Sequence, residues 1–310
     1  MNPAVAVRFV RELTLASPTD AGSVRHISAA SGMVVIGEFL YVIADDEFHL
    51  GVFGRTGTDA GSLLRLFPGE LPDAAAERKA HKPDLEALVR LPGFAGYPHG
   101  ALLALASGSR PNRRTGVVLE LDASGRIAGE PRPYPLEPFY APLQKRFPAL
   151  NVEGAVVLDD ALVLFHRGSR AQPESALVSF PLREIFHAAH SETAALPPVA
   201  ASRVRSFDLG AIEGAPLSFT DGAALPDGRI VFTAVAENTE DNYLDGPCLG
   251  AVVGILGSEG GVQMMRPLQP TEKVEGLHAT LEGDRIRLLL VTDADDAKVP
   301  AKLLSAEIPA

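Results

Sequence analysis

The sequence has no tryptophan, a single cysteine, no excess of positive charge and no long apolar run. Each absence removes a class of protein. One cysteine, Cys248, excludes an internal disulfide and cannot alone build a thiolate zinc site. It follows Gly246-Pro247 and precedes an apolar stretch, so inert packing is its expected role. No segment approaches the roughly 18 uninterrupted apolar residues of a membrane helix. Residues 1–15 hold no basic segment followed by an apolar one, so no secretory signal is read and a cytoplasmic location is expected. Lys and Arg total 28 against 39 Asp and Glu, a net charge of −11. A nucleic-acid binder needs a basic face to displace counterions, which this balance does not supply. No dinucleotide or Walker glycine pattern and no Gly-x-Ser-x-Gly elbow occurs.

What is present is turn chemistry and repetition. Hydrophobic residues make up 46% of the 310-residue chain, enough for a large core. Gly (29) and Pro (25) are frequent, as in chains built from short strands and tight turns. Five segments look alike: Ser31-Gly32, Glu86-Ala87, Glu153-Gly154, Asp221-Gly222 (with Thr220 ahead of it) and Glu275-Gly276. Each pairs an oxygen-bearing residue with a small one at the start of an apolar run. A turn and a second apolar run follow each copy, and a third run follows most pairs. Residues 31 to 275 span 244 residues in four intervals, a mean of 61. The residues outside these limits make one further interval. Five four-stranded units arranged radially are a β-propeller. The expectation is therefore one all-β domain over residues 1–310, a five-bladed β-propeller. Val5 to Leu15 would supply the outer strand of the last blade and so close the ring. Six blades is the alternative, because two intervals are long. Helices are expected over Pro181–Ser191 and near Leu71–Ala80, and a proline-rich loop over Arg132–Pro148.

In a propeller the innermost strands begin at one mouth of the central channel. Ser31, Glu86, Glu153, Asp221 (or Thr220) and Glu275 would therefore converge on the axis. Carboxylates brought so close must take up protons or share a cation. Oxygen ligands without His or Cys suit Ca²⁺, or alternatively Mg²⁺. The competing reading is that these acids bond backbone N–H groups of the neighbouring blade.

These short motifs resemble those of the soluble calcium-activated apyrases, five-bladed propellers with one central calcium, and also the esterase-like phytase group. The resemblance implies a calcium shell drawn from Ser31, Glu86, Glu153, Thr220 or Asp221, and Glu275. The chain departs from it at the fourth-blade residue, at Ala87 where the family has Gly, and in lacking any Trp to stack on a nucleotide base.

The loops after each second strand share the mouth with these acids. They carry Asp45, Asp46, Glu47, Phe48 and His49 in blade one, and Ser107, Ser109, Arg110, Asn112, Arg113 and Arg114 in blade two. His166, Arg167, Ser169 and Arg170 follow in blade three, then Glu237, Asn238 and residues 240–243 in blade four, and Asp293, Asp295, Asp296 and Lys298 in blade five. Arg110, Arg113, Arg114, Arg167 and Arg170 would hold an anionic substrate, since guanidinium forks match phosphate or carboxylate oxygens. Their ordinary alternative is ion pairing with neighbouring acids. His166 and Asp45 are the candidate proton acceptors. Asp293-x-Asp295-Asp296 has the Asp spacing of half a calcium loop without its Gly or distant Glu. His278 is expected to pack between strands. Three functions follow from these residues. The first is a metal-centred hydrolase of a small phosphorylated or anionic ester. The second is a calcium-dependent lactonase or arylesterase. The third is a non-catalytic binding propeller with a structural metal. The partner expected is a small molecule, with neither nucleic acid nor membrane.

Overall fold

Short apolar runs bounded by Gly, Pro and Asp turns fold into antiparallel strands, and the computed structural model arranges them as five blades. It describes residues 3–19, 24–191, 196–238 and 246–310. The inner strands are Ala30–Ile36, Leu85–Leu91, Val152–Leu158, Ala215–Ala224 and Val274–Glu282. They touch in the order one, two, three, four, five and back to one, which closes the ring about an axis. Blades one, two, three and five have four strands each. The all-β, five-bladed expectation holds, and the long intervals contain helices rather than a sixth blade. Among the described residues no helix is long and apolar enough to cross a membrane.

The N-terminus closes the ring with one difference from expectation. Val5–Leu15 is not one outer strand. Val5–Ala6 runs parallel to Val262–Gln269 in blade four, and Arg8–Glu12 then pairs antiparallel with Lys302–Pro309 in blade five. Bridges from Thr14 to His26 and from Leu15 to Gly61 carry the same segment on to blade one. One short stretch thus ties three blades, and blades five and one are joined by backbone hydrogen bonds.

The core lies between blades. Every residue of Ala101–Ala106 is buried, and Phe165, Phe219 and Phe232 meet edge to face at centroid distances of 5.3 and 5.2 Å. Such aromatic pairs add about 0.5–1.5 kcal/mol each beyond area burial. The helix Leu182–Ala189 lies inside its expected span, with Leu182, Ile185, Ala188 and Ala189 inward. The second helix is Ala75–His81, further along than the Leu71 start expected. The proline-rich stretch is not a loop. It continues the outer strand Ile127–Pro135 of blade two and then forms the helix Glu137–Gln144. Prolines are tolerated on an edge strand, where N–H groups face solvent, and Pro138 sits in the first turn, where no intrahelical donor is needed.

Candidate functional site

Each inner strand carries one residue more than its partner at the same level. The register shifts between Ala30 and Gly32, Leu85 and Ala87, Val152 and Gly154, Phe219 and Asp221, and Val274 and Gly276. The extra residues are Ser31, Glu86, Glu153, Thr220 and Glu275. A bulge leaves its residue out of the ladder and re-aims the side chain, which here sets the motif position apart in all five blades. The small residue that follows has its own cause. A Cβ on Gly154 would lie 2.7 Å from Asp221 Oδ1, and one on Gly276 would lie 3.1 Å from the Gly32 Cα. At Gly154 and Gly276 the neighbouring inner strand approaches too closely for a side chain.

This register places Thr220, not Asp221, at the bulge of blade four. Asp221 occupies the small-residue position. Its carboxylate accepts the N–H of Leu277 in blade five at 2.8 Å and those of Gly222 and Ala155 in blades four and three. Burial pushes this carboxyl well above the usual range, against those three donors. Asp221 binds three inner strands together and does not line the mouth. Thr220 donates to Thr233 Oγ1 at 2.9 Å, and Ser31 donates to the Leu85 carbonyl at 2.6 Å.

At the mouth lies a pocket of about 80 Å³. Ser31, Glu86, Glu153 and Glu275 line it, and so do the residues two upstream of the bulges of blades two to five: Asp84, Asn151, Ser218 and Lys273. The ends of the second strands add Asp45, Arg167, Val235 and Asp293. None of these upstream residues is among the candidates that the sequence motifs single out. The strand period of two is the signal that points to them.

The acids fall into two groups with different neutralisation. On one side, the Arg167 guanidinium reaches Glu237 at 2.8 Å, Glu153 at 3.3 Å and Glu275 at 3.8 Å. The Lys273 ammonium reaches Asp295 at 2.6 Å, Glu237 at 3.1 Å, and Glu275 and Asp293 at 3.6 Å. Burial pushes Glu237 up, but these two cations outweigh it and hold the carboxyl below its ordinary value. Glu153 and Glu275 stay raised, by burial first. Asp293 is pushed up to about 7 by burial, with Lys273 opposing and Asp45 and Asp295 reinforcing.

On the other side, oxygens of Asp45, Asp84 and Glu86 lie within 4.8 Å of one another, the one such trio among the described residues. Lys82 pairs with Asp45 and, at 3.0 Å, with Asp84, and Arg113 reaches Asp84 at 2.8 Å. Ser107 also donates to Asp84. Glu86 makes no hydrogen bond or ion pair with a described residue. Burial, then Glu153, Asp84 and Asp45, push its carboxyl well above the usual range, while Lys82 opposes. Three hard oxygen donors so arranged fit Ca²⁺ or Mg²⁺ by donor type.

Of the five arginines, Arg113, Arg167 and Arg170 line the pocket and Arg110 and Arg114 do not. Arg113 and Arg167 are held by acids as above, Arg114 pairs with Glu137 at 2.8 Å, and Arg170 donates to Asn238 at 3.1 Å. His166 is buried against Phe147, faces a separate groove, and is pushed down to about 4 by burial. The structure does not bring it to the axial pocket. Asp45 is there. Asp293 and Asp296 accept the N–H groups of Asp295 and Lys298, a self-bonded turn. Cys248 is half-buried and pushed up to about 11 by burial. Residues 240–243 of the expected rim lie outside the described residues.

A family model described as "Family of unknown function (DUF6929)" matches residues 26–308. No curated protein matches the chain. Among solved structures, the catalytic domain of a GH62 α-L-arabinofuranosidase from Coprinopsis cinerea is similar at 10% identity and a TM-score of 0.52, over 99% of this chain and 97% of that one. The α-L-arabinofuranosidase Arb93A of Fusarium graminearum matches at 7% identity and a TM-score of 0.43, over 97% and 98%. A luciferin-regenerating enzyme matches at 7% and 0.43, over 97% and 95%. At these identities the likeness is one of fold, and it rests on the first.

Proposed function

The chain belongs to the DUF6929 family, whose function is unknown, so its chemistry is read from the site, and we propose a divalent-cation-centred hydrolase acting at the axial mouth on a small ester or lactone. The observation that carries this is the trio of Asp45, Asp84 and Glu86, with Glu86 lacking a partner among the described residues and pushed toward protonation. Ca²⁺, or alternatively Mg²⁺, is the cation whose chemistry those oxygens match. Such an ion polarises a carbonyl or lowers the pKa of a water. Glu153 and Glu275 are held by Arg167 and Lys273, and Asp45 and Asp84 by Lys82 and Arg113, so the ion belongs beside Glu86, which has no described partner, where it would displace Lys82, rather than at the centre of the acid ring.

The substrate class follows from the same pairs. Arg113 and Arg167, expected to hold an anionic group, are engaged by Asp84 and by three glutamates. That favours an uncharged ester or lactone over a phosphorylated substrate. A pocket of about 80 Å³ is far below the roughly 300–1,000 Å³ of drug-sized sites, so only the reacting end of a substrate enters. A second reading keeps the ion as structural only: a non-catalytic binding propeller, in which Arg167 and Lys273 tie the rest of the mouth into a charge network.

The test is metal content of the purified protein, thermal melts with chelator and added Ca²⁺ or Mg²⁺, and turnover on lactones, aryl esters, phosphate esters and an arabinofuranoside. At a free ion concentration 100 times Kd, a single site stabilises by about 2.7 kcal/mol. One ion per chain, lost in Glu86→Gln, with lactone or ester turnover that chelator abolishes, is the expected result. An ion without turnover selects the binding propeller. Neither ion nor turnover refutes both metal readings.

A further inference from the structure

The far end of blade five holds a second cleft, lined by four arginines against two glutamates, Glu282 and Glu307. It has a volume of about 560 Å³ and lies between blades five and one. Its walls come from the end of the inner strand (His278, Thr280), the start of the second (Arg285, Arg287), the closing N-terminal strand (Arg8) and the blade-one loop (Arg55). Antiparallel order puts these positions at the opposite end of the strands from the acidic mouth.

Four arginines gather here in a chain of net charge −11. Arg287 is shared between Glu282 at 3.1 Å and Glu307 at 3.4 Å. Arg8, Arg55 and Arg285 make no side-chain hydrogen bond or ion pair with a described residue. Together these three offer fifteen N–H donors that no oxygen of a described residue takes, by the five donors of each guanidinium. The loop carrying Arg55 is fixed in place. Arg11, itself buried, donates to the carbonyls of Gly54 at 2.6 Å and Gly57 at 3.1 Å, on either side of Arg55-Thr56. The Arg55 N–H bonds the Glu38 carbonyl at 2.8 Å. The floor is polar, with Thr280 and His278 joined at 3.3 Å and the Ser305 hydroxyl nearby. Burial and Arg55 push His278 down to about 4, so it meets a ligand as neutral imidazole at neutral pH.

We propose that this cleft binds a small polyanion, a ligand bearing phosphate or carboxylate groups, clamped between Arg55 on one side and Arg8 and Arg285 on the other. Guanidinium forks pair with both oxygen types in two parallel hydrogen bonds. The volume suits a molecule of metabolite size. Because the cleft joins the closing strand to blade one, the ligand also bridges the seam of the ring.

The test uses inorganic pyrophosphate and citrate as probes, titrated calorimetrically into the full chain with chelator present so that no cation at the mouth recruits them. Saturable binding of either probe is expected, weakened about tenfold or more by Arg55→Ala and by Arg285→Ala. Both side chains are exposed, so the variants fold, and unchanged melting temperatures check this. The His278 imidazole resonances shift on binding in the wild type. Which probe binds separates a phosphate ligand from a carboxylate one. Saturation by neither probe, or affinity that survives both substitutions, overturns the proposal.

Discussion

Arg167 is the keystone of the axial charge network, and replacing it with Met measures what that network contributes. The guanidinium stands 2.8 Å from Glu237, 3.3 Å from Glu153 and 3.8 Å from Glu275, with all four side chains largely buried. At an effective dielectric of about 20, each of these contacts is worth roughly 4–6 kcal/mol before desolvation is subtracted. Desolvation offsets much of that, and removing one partner of a buried pair costs about 3–5 kcal/mol. Three carboxylates are orphaned here, although Lys273 still reaches two of them, so about 4 kcal/mol is the expected loss near neutral pH. With an unfolding entropy of about 2.1 cal/mol/K per residue, that loss lowers Tm by about 6 °C. The pH dependence identifies the cause. Without Arg167, burial and mutual repulsion raise the three folded-state carboxyls above their unfolded values. A raised carboxyl costs nothing below its unfolded pKa and progressively more as pH climbs through its folded one. Urea unfolding at about pH 8 and about pH 5 should therefore show a loss that is full at the higher pH and shrinks at the lower. A loss under about 1 kcal/mol at pH 8, the size of a surface pair, would refute the argument, and so would a loss independent of pH.

Other perturbations separate the remaining roles. Glu86→Gln removes a carboxyl whose folded pKa is raised, so in chelator the variant melts higher than wild type at about pH 8 and converges with it at about pH 4; a lower Tm at pH 8 contradicts the unpaired Glu86. Asp293 should titrate near 7 by carbon-13 NMR, and Asp293→Asn should flatten the fall in metal-free stability between about pH 4 and 7; a midpoint near 4 rejects it. Asp221→Ala strips acceptors from buried N–H groups of three blades and should cost about 2–4 kcal/mol in urea unfolding while leaving divalent-cation affinity unchanged; weakened ion binding with intact stability would return Asp221 to the metal shell. Gly154→Ala drives a Cβ to 2.7 Å from the same carboxylate and should destabilise by about 1–3 kcal/mol.

Blade number was legible because it depends on spacing alone. The oxygen-bearing motifs recur at a mean of 61 residues whatever their side chains contact, and the N-terminal segment completes the last interval. The order of strands within a blade was legible for the same reason, since tight turns force neighbours in sequence to be neighbours in space. The split of the closing segment into Val5–Ala6 and Arg8–Glu12 was not. Which edge a short strand pairs with depends on where two outer strands of other blades end. The choice between Thr220 and Asp221 also needed the ladder, because a one-residue shift in register exchanges the faces of a strand.

Charge pairing was the least legible part, and the reason is geometric. Lys273 sits two residues ahead of Glu275, at the position occupied by Asp84 in blade two and Asn151 in blade three. A repeat in which the acids recur, while the residue beside them changes from acid to amide to cation, looks from sequence like a ring of like charge. Folding brings blade three's Arg167 onto Glu237 and Glu275 from blades four and five, contacts spanning 70 and 108 residues. The count of acids alone called for a cation at the centre. The protein supplies Arg167 and Lys273 on the side of blades three to five; on the side of blades one and two Lys82 and Arg113 hold Asp45 and Asp84 and leave Glu86 without a described partner. The asymmetry moves the candidate metal site off the axis. It also predicts which substitution makes the centre accept an ion: in Arg167→Met, but not in wild type, Glu153, Glu237 and Glu275 form a second acidic group, so divalent cations should restabilise the variant by more than they stabilise the parent. Equal stabilisation of both proteins would show that the lost guanidinium never occupied a cation's place.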